Sequence, residues 1–309
     1  MKIAVFGAGA VGGYFGALLA QAGNDVGFVC RGANLAAIRQ SGIRLQGPRG
    51  DFTVKNVKAT DTPREIGPVD VVLFCVKCHD TVPATAGAAS LLRDGAMWLT
   101  LQNGVDSVQR LAAMLPREHL VPGAAFVSAV LTEPGIITYT SEMSSLAFGE
   151  VASVGPGRCD EFADACRNAG FRANVSNDLQ ALLWSKFVAL ATNAALTGLV
   201  RQPAGVVYKH PDLRAMAQQS IAEVITIASA EGIDLPADQA ERSMALLDGF
   251  PPYMYASMYH DLAQGKPIEI AYLSGHVSVL GKRHGIPTPF HDFAYACLSP
   301  YENGPPLLS

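Results

Sequence analysis

Charge is scarce in this sequence, and neither sign dominates. Lys and Arg number 23 and Asp and Glu 27, together 16% of 309 residues, for a formal net charge of −4 at pH 7. No block of like charges stands out, which argues against nucleic-acid or anionic-membrane binding as the main activity. Cysteine is sparse as well. Cys30, Cys75, Cys78, Cys159, Cys166 and Cys297 lack the density of a disulfide scaffold, so buried thiols in a reducing compartment are expected. Cys75 and Cys78 match C-x-x-C, but they end an apolar run of strand character, where residues three apart point to opposite faces. Structural thiols are therefore expected there, not a redox or zinc pair. Seven histidines show no H-E-x-x-H spacing, so no metal is expected. The longest apolar runs are strand-sized or interrupted, and the chain opens on a strand and turn without the basic and greasy regions of a signal peptide. A cytoplasmic protein with no membrane segment is the reading.

What is abundant is apolar: 49% of the residues, enough for a large core and about two domains. The stretch KIAVFGAGAVGGYFGALLAQAG, from Lys2, reads as strand, glycine turn and helix. Each glycine of its G-x-G-x-x-G has a physical task. Gly7 makes the tight turn, Gly9 lets backbone N–H groups approach a pyrophosphate, and Gly12 lets helix and strand pack closely. Gly7, Ala8, Gly9, Ala10, Val11 and Gly12 thus form a candidate dinucleotide cradle, with a helix N-terminus facing the anion.

From residue 1 to about 150, strand-like segments (2–6, 25–30, 69–76, 97–101, 120–127) alternate with helical ones (11–22, 33–41, 82–92, 105–115). Alternation of this kind predicts an α/β domain of Rossmann type with a doubly wound parallel sheet. Residues 43–54 and 135–149 look like hairpins instead. Beyond Asp178 long helical segments take over (179–199, 213–231, 237–247, 253–264, 268–284), punctuated by Pro236, Pro251, Pro252, Pro287 and Pro289. The expected organisation is a dinucleotide-binding domain over residues 1–176 and an all-helical substrate domain over 177–309.

Ligands in open α/β sheets sit at the carboxyl ends of the strands, so the residues there choose the cofactor. An acidic residue about twenty positions past the glycines binds the ribose 2′-hydroxyl of NAD, whereas an arginine accommodates the 2′-phosphate of NADP. The residue after DVGFVC is Arg31, which favours NADP(H); the plain alternative is an ordinary surface arginine. VVLFCVK delivers Lys77 to the same edge and WLTLQNG delivers Asn103. Lys77 supplies charge near phosphates or substrate, and Asn103 a hydrogen bond to the nicotinamide ribose or the substrate; a solvated lysine and a plain Asn-Gly turn are the alternatives.

GAGAVGGYFG, CVK, LQNGVD, LWSKF, SMYHDLAQGKPIEI, LSGHV and GIPTP, in this order and spacing, resemble the ketopantoate reductase (2-dehydropantoate 2-reductase) family over nearly the whole chain. The resemblance implies a Rossmann domain plus a helical domain, NADPH as donor, and reduction of a 2-oxo acid to a D-2-hydroxy acid, 2-dehydropantoate to (R)-pantoate being the named case. It puts the catalytic lysine on Lys186, the conserved glutamate on Glu269, a substrate-side serine on Ser257, and cofactor residues on Arg31, Lys77 and Asn103. The chemistry asks for such groups independently. Hydride delivery to a ketone carbon leaves charge on oxygen, which a donor must stabilise and then protonate. Lysine suits both steps, and a carboxylate can hold its ammonium charged and oriented. The plain alternative for Glu269, after GKPI, is a first-turn acid favoured by a helix dipole.

The substrate pocket departs from the family. Asparagines common four and eight residues after the lysine are here Leu190 and Ala194, and one common three before the serine is Met254. Asn193 lies seven residues past Lys186 and Thr197 eleven, both near its azimuth at about 100° per residue. Asn193 is therefore a candidate substrate ligand. Tyr255 or Tyr259 can add aromatic surface or simply pack. The alternatives to 2-dehydropantoate are a more apolar 2-oxo acid and, from a different class, a non-catalytic NADP-binding redox sensor. No nucleic-acid or membrane partner is expected, and the oligomeric state stays open, a homodimer being compatible with it.

Overall fold

A computed structural model describes residues 1–150 and 157–306. The chain divides into two compact units, Met1–Gln102 with Asp106–Leu179, and Asn103–Val105 with Gln180–Ser309.

The first unit is built on a ten-stranded sheet. In chain order its elements are β1 (Lys2–Phe6), α1 (Ala10–Gln21), β2 (Asp25–Val29), α2 (Gly32–Ser41), β3 (Ile43–Gln46), β4 (Phe52–Val54), β5 (Lys58–Thr60), β6 (Val69–Phe74), α3 (Thr81–Thr85), β7 (Leu92–Thr100), α4 (Ser107–Leu111), β8 (Leu120–Glu133), β9 (Ile136–Phe148), α5 (Arg158–Asn168) and β10 (Arg172–Val175). The sheet order is β4-β3-β9-β8-β7-β6-β1-β2-β5, and β10 also pairs with β9. From β8 through β5 every pairing is parallel. Strands buried on both faces must be apolar throughout, and β1 obeys: Ile3 and Val5 enter one core, Ala4 and Phe6 the other. The second core is anchored by Phe6, Phe74 and Trp98, whose rings lie 5.1–5.9 Å apart.

Several expectations needed correction. Residues 135–149 are not a hairpin but the second arm of one, since β8 and β9 pair antiparallel and the chain reverses at Pro134 and Gly135, with Gly135 at φ +78°. The long polar alternation of this ladder, with Ser128 bonded to Thr140 and Thr132 to Thr138, hid the continuation of the 120–127 strand through Glu133 from an apolar-run reading. The helix expected over 82–92 breaks into α3 and a 3-10 turn at Ala88–Leu91 around Gly87, whose φ is +76°. The helix over 105–115 shrinks to α4, and α5, β5 and β10 were not foreseen.

The second unit contains α6 (Leu179–Val200), α7 (Ala204–Val207), α8 (Pro211–Ala230), α9 (Gln239–Asp248), α10 (Ser257–Ala263), α11 (Ser274–His284) and α12 (Pro289–Leu298). Helix α6 has the length and mean hydropathy, 1.3, of a membrane span, although Ser185, Lys186, Thr192 and Asn193 interrupt its apolar run as expected. Its apolar character has another cause here: 72% of that window is buried. It is the central helix of the unit. Ser220 of α8 bonds Thr192, Gln239 of α9 bonds Ser185, and Met258 of α10 and Leu298 of α12 lie against Gly198. The expected helix over 253–264 starts only at Ser257, and the one over 268–284 is broken at Leu273 (φ −111°, ψ −100°) into a 3-10 turn, Ile270–Tyr272, and α11. Helices α7 and α12 were not foreseen. Glu223 of α8 caps α12, each carboxylate oxygen accepting a backbone N–H, from Phe290 at 2.9 Å and His291 at 3.1 Å.

Candidate functional site

The glycine turn has the geometry its sequence demands. Gly7 sits at φ +86°, and a Cβ there would meet the Cys75 carbonyl group at 3.0 Å. A Cβ on Gly12 would overlap the Gly7 carbonyl oxygen, so α1 can approach β1 only because this residue is glycine. Gly9, the residue before α1, faces open space, and no side chain caps the helix. Its first backbone N–H groups therefore meet a backbone surface clear of side chains, which is what a pyrophosphate needs. The segment Gly7–Gly12 fits a dinucleotide.

Two strand ends flank this turn. Gly7 N–H donates to Val29 O of β2 at 3.0 Å, and Cys75 N–H, after β6, donates to Phe6 O at 2.8 Å. Arg31 follows β2 with extended backbone and leads into α2. Its side chain is 73% exposed and its Nη2 donates to Asp80 Oδ1 at 2.7 Å. Lys77 follows β6, half-buried, and leads into the 3-10 turn Cys78–Asp80. The buried Gln102 at the end of β7 pins this loop, its Nε2 donating to Val76 O at 3.2 Å and Thr81 Oγ1 at 2.8 Å. Burial pushes the Cys30 thiol up to about 11 and that of Cys75 higher still, so neither is a thiolate at neutral pH. Among the described residues no group of three or more His, Cys, Asp or Glu could hold a metal ion.

The second unit holds the remaining candidates: Asn103, Lys186, Asn193, Ser257 and Glu269. Lys186 lies on α6, partly buried, and desolvation pushes its amine down to about 8. The preceding residue is fixed by Ser185 Oγ donating to Gln239 Oε1 at 2.8 Å. Glu269 is buried, 4% exposed, directly before the 3-10 turn, so the helix start expected at this point is absent. Ser257 is exposed at the first residue of α10. Asn193 is buried and its Oδ1 accepts the Tyr208 hydroxyl at 2.8 Å, while Thr197 turns its hydroxyl back onto Asn193 O at 2.7 Å. Thr197 therefore spends its donor on its own helix. Met254 and Leu190 are half-buried and Ala194 is buried. Tyr255 and Tyr259 stack face to face, centroids 4.0 Å apart at 13°, with the His260 ring edge-on to both.

Asp80 and Tyr208 escaped the sequence reading. Neither lies in a motif, and each matters only through a partner 49 or 15 residues away.

Known proteins agree with this arrangement. Residues 3–153 match the ketopantoate reductase PanE/ApbA family and residues 178–302 its C-terminal domain. The 2-dehydropantoate 2-reductase of Geobacter metallireducens GS-15 is 31% identical, with a TM-score of 0.90 over 97% of this chain and 99% of that one. A PanE/ApbA family ketopantoate reductase of Ralstonia eutropha JMP134 is 30% identical, with a TM-score of 0.89 over 98% of each chain. A D-mandelate dehydrogenase, solved with NADH and anilino(oxo)acetate, shares the fold at 23% identity and a TM-score of 0.90 over 98% of each chain. Glycine cradle, helical second unit and full-length matches converge: this chain belongs to the ketopantoate reductase family of NAD(P)H-dependent oxidoreductases.

Proposed function

We propose that the protein reduces a 2-oxo acid to the D-2-hydroxy acid with NADPH, 2-dehydropantoate to (R)-pantoate being the best named case. The observation that carries this reading is Lys186, whose amine desolvation brings down to about 8. An acid that titrates near working pH is what protonation of a nascent alkoxide requires. Bound NADPH supplies the hydride. The Lys186 ammonium, hydrogen-bonded to the ketone oxygen, stabilises the charge growing there and passes it one proton, leaving a neutral amine that regains its proton from solvent. Glu269 is the carboxylate that keeps the ammonium charged and oriented. Ser257, Asn193 and Asn103 bind the substrate, Asn103 and Lys77 also serve the cofactor, and Arg31 takes the 2′-phosphate. The six free cysteines and the substrate chemistry suit a cytoplasmic enzyme.

A second reading, a more apolar 2-oxo acid, is favoured by Leu190, Met254 and the Tyr255–Tyr259 stack. An apolar wall penalises a substrate hydroxyl only mildly, whereas a hydrogen-bonding site strongly rejects an analogue that lacks it. The test is kcat/KM with NADPH for 2-dehydropantoate, its analogue with methyl in place of the primary hydroxyl, and an aryl 2-oxo acid. Turnover is expected, with less than about tenfold discrimination between the first two, on the order of 1.4 kcal/mol or under. A preference of a thousandfold or more for 2-dehydropantoate would show a hydroxyl-binding wall. No oxidation of NADPH with any 2-oxo acid would leave the redox sensor.

A further inference from the structure

The acidic residue that NAD-binding domains place at the end of the second strand is missing from this chain, where Cys30 and Arg31 stand instead. A carboxylate nonetheless reaches the same place through space. Strands β2 and β6 lie on either side of β1, so the segments that leave their carboxyl ends both border the glycine turn. Arg31 enters from one side and Asp80 from the other, and they meet at 2.7 Å. We propose that Asp80 is a cofactor-specificity residue: its carboxylate, held against Arg31, opposes the 2′-phosphate and narrows this protein's preference for NADPH over NADH. The proposal rests on the reading that Arg31 receives that phosphate.

The position of Asp80 is set by its loop and not by the arginine alone. Its backbone N–H donates to Lys77 O at 2.9 Å, Thr81 Oγ1 donates to Cys78 O at 2.7 Å, and Gln102 ties the same loop to β7. Its side chain is 30% exposed against 73% for Arg31, so the arginine has the more open space in which to turn towards a ligand. An arginine that swings onto a phosphate leaves the carboxylate behind at the same edge. A phosphomonoester carries close to two negative charges at neutral pH, and Asp80 then faces it as a like charge. The Cys30 thiol next to Arg31 feels both Arg39 and Asp61, with opposite signs and Arg39 the stronger, so neither strand end is anionic apart from Asp80 itself. The cations nearby are Arg39, Lys77 and, when protonated, His79, whose Nε2 lies 3.9 Å from Asp80 Oδ2. NADH brings no such conflict, because its 2′-hydroxyl is neutral and can donate to a carboxylate.

The experiment is a titration of NADPH and of NADH into the full-length protein without substrate, followed by calorimetry at pH 7.5 for wild type, Asp80→Asn and Arg31→Ala. Asp80→Asn keeps the side-chain shape and removes only the charge. It is expected to raise the ratio Kd(NADH)/Kd(NADPH) by roughly fivefold at low salt, with the gain shrinking in 1 M salt, where the screening length falls to about 3 Å. An unchanged ratio, or weaker NADPH binding in Asp80→Asn, overturns the proposal; the second result would make Asp80 an aid to Arg31. Arg31→Ala tests the underlying reading separately. A selective loss of NADPH supports it, and equal losses of both cofactors remove the phosphate from Arg31 and the proposal with it.

Discussion

Tyr208 donates its hydroxyl to Asn193 Oδ1 across 2.8 Å, and both residues are buried. Burial pushes the phenol further up from its ordinary value, so it remains a donor at any working pH. With Oδ1 engaged, the amide of Asn193 is fixed in rotation and Nδ2 carries its donors. Tyr208→Phe should leave a buried acceptor unpaired and cost about 1–3 kcal/mol, read as a lower urea midpoint at unchanged slope. If Asn193 binds substrate through Nδ2, the same variant raises KM more than it lowers kcat. An unaltered midpoint would mean that this bond contributes nothing.

Lys186 links activity to stability with opposite signs. Reduction needs the ammonium, so with an amine at about 8 kcat should fall as pH rises above 8. Lys186→Met should lower kcat by roughly 10²–10⁴, the range of general acid catalysis, with NADPH binding nearly intact. The folded amine titrates below its ordinary value of 10.5, so between about 8 and 10.5 the unfolded chain binds more protons and wild-type stability rises with pH. Below pH 8 the full cost of the desolvated charge is present. Lys186→Met removes this titration but also takes the proposed cation from the buried Glu269, so the signature is the slope and not the level: the wild-type melting temperature should rise relative to the variant's between pH 8 and 10.5. A constant difference between the two melting temperatures over that window would show that the amine is not desolvated.

His291 should govern acid stability. Its Nε2 lies 3.3 Å from Ser220 O, which can only accept, and 3.1 Å from Ser220 Oγ, so Nε2 carries the proton. Its Nδ1 then accepts from Ser274 Oγ at 3.1 Å. The chain runs on from Ser220 through Thr192 to Val188 O, joining α11, α12, α8 and α6. Burial pushes the imidazole down to about 4 from 6.5. Between pH 6.5 and 4 the unfolded chain binds the extra proton, so stability is complete above 6.5 and falls as pH drops, by on the order of 3 kcal/mol in all. His291→Gln should be less stable at pH 7 but lose less on going to pH 4.5, measured by urea midpoints. Parallel losses in the two proteins would exclude His291 as the titrating group.

What the residues fixed by themselves are features whose causes are local. Gly7 needs a left-handed backbone, Gly12 a missing Cβ, β1 an apolar run, and α6 a helical stretch beginning at Leu179, and each requirement is visible within a few neighbouring letters. Arg31 and Lys77 followed from the rule that ligands gather at strand ends, since the strands themselves were legible. Glu269 was found by motif, but its setting was not, because residues 270–274 carry no Pro or Gly that would announce the break between the 3-10 turn and α11. The long β8–β9 ladder was half missed for a similar reason: its polar residues satisfy one another only once the two arms are paired. Asp80 beside Arg31, Tyr208 on Asn193 and the imidazole of His291 among Ser220 and Ser274 were decided by the tertiary structure alone. A hydrogen bond or ion pair depends on where two distant segments come to rest, and that is set by the packing of the whole core, which no short stretch of sequence contains.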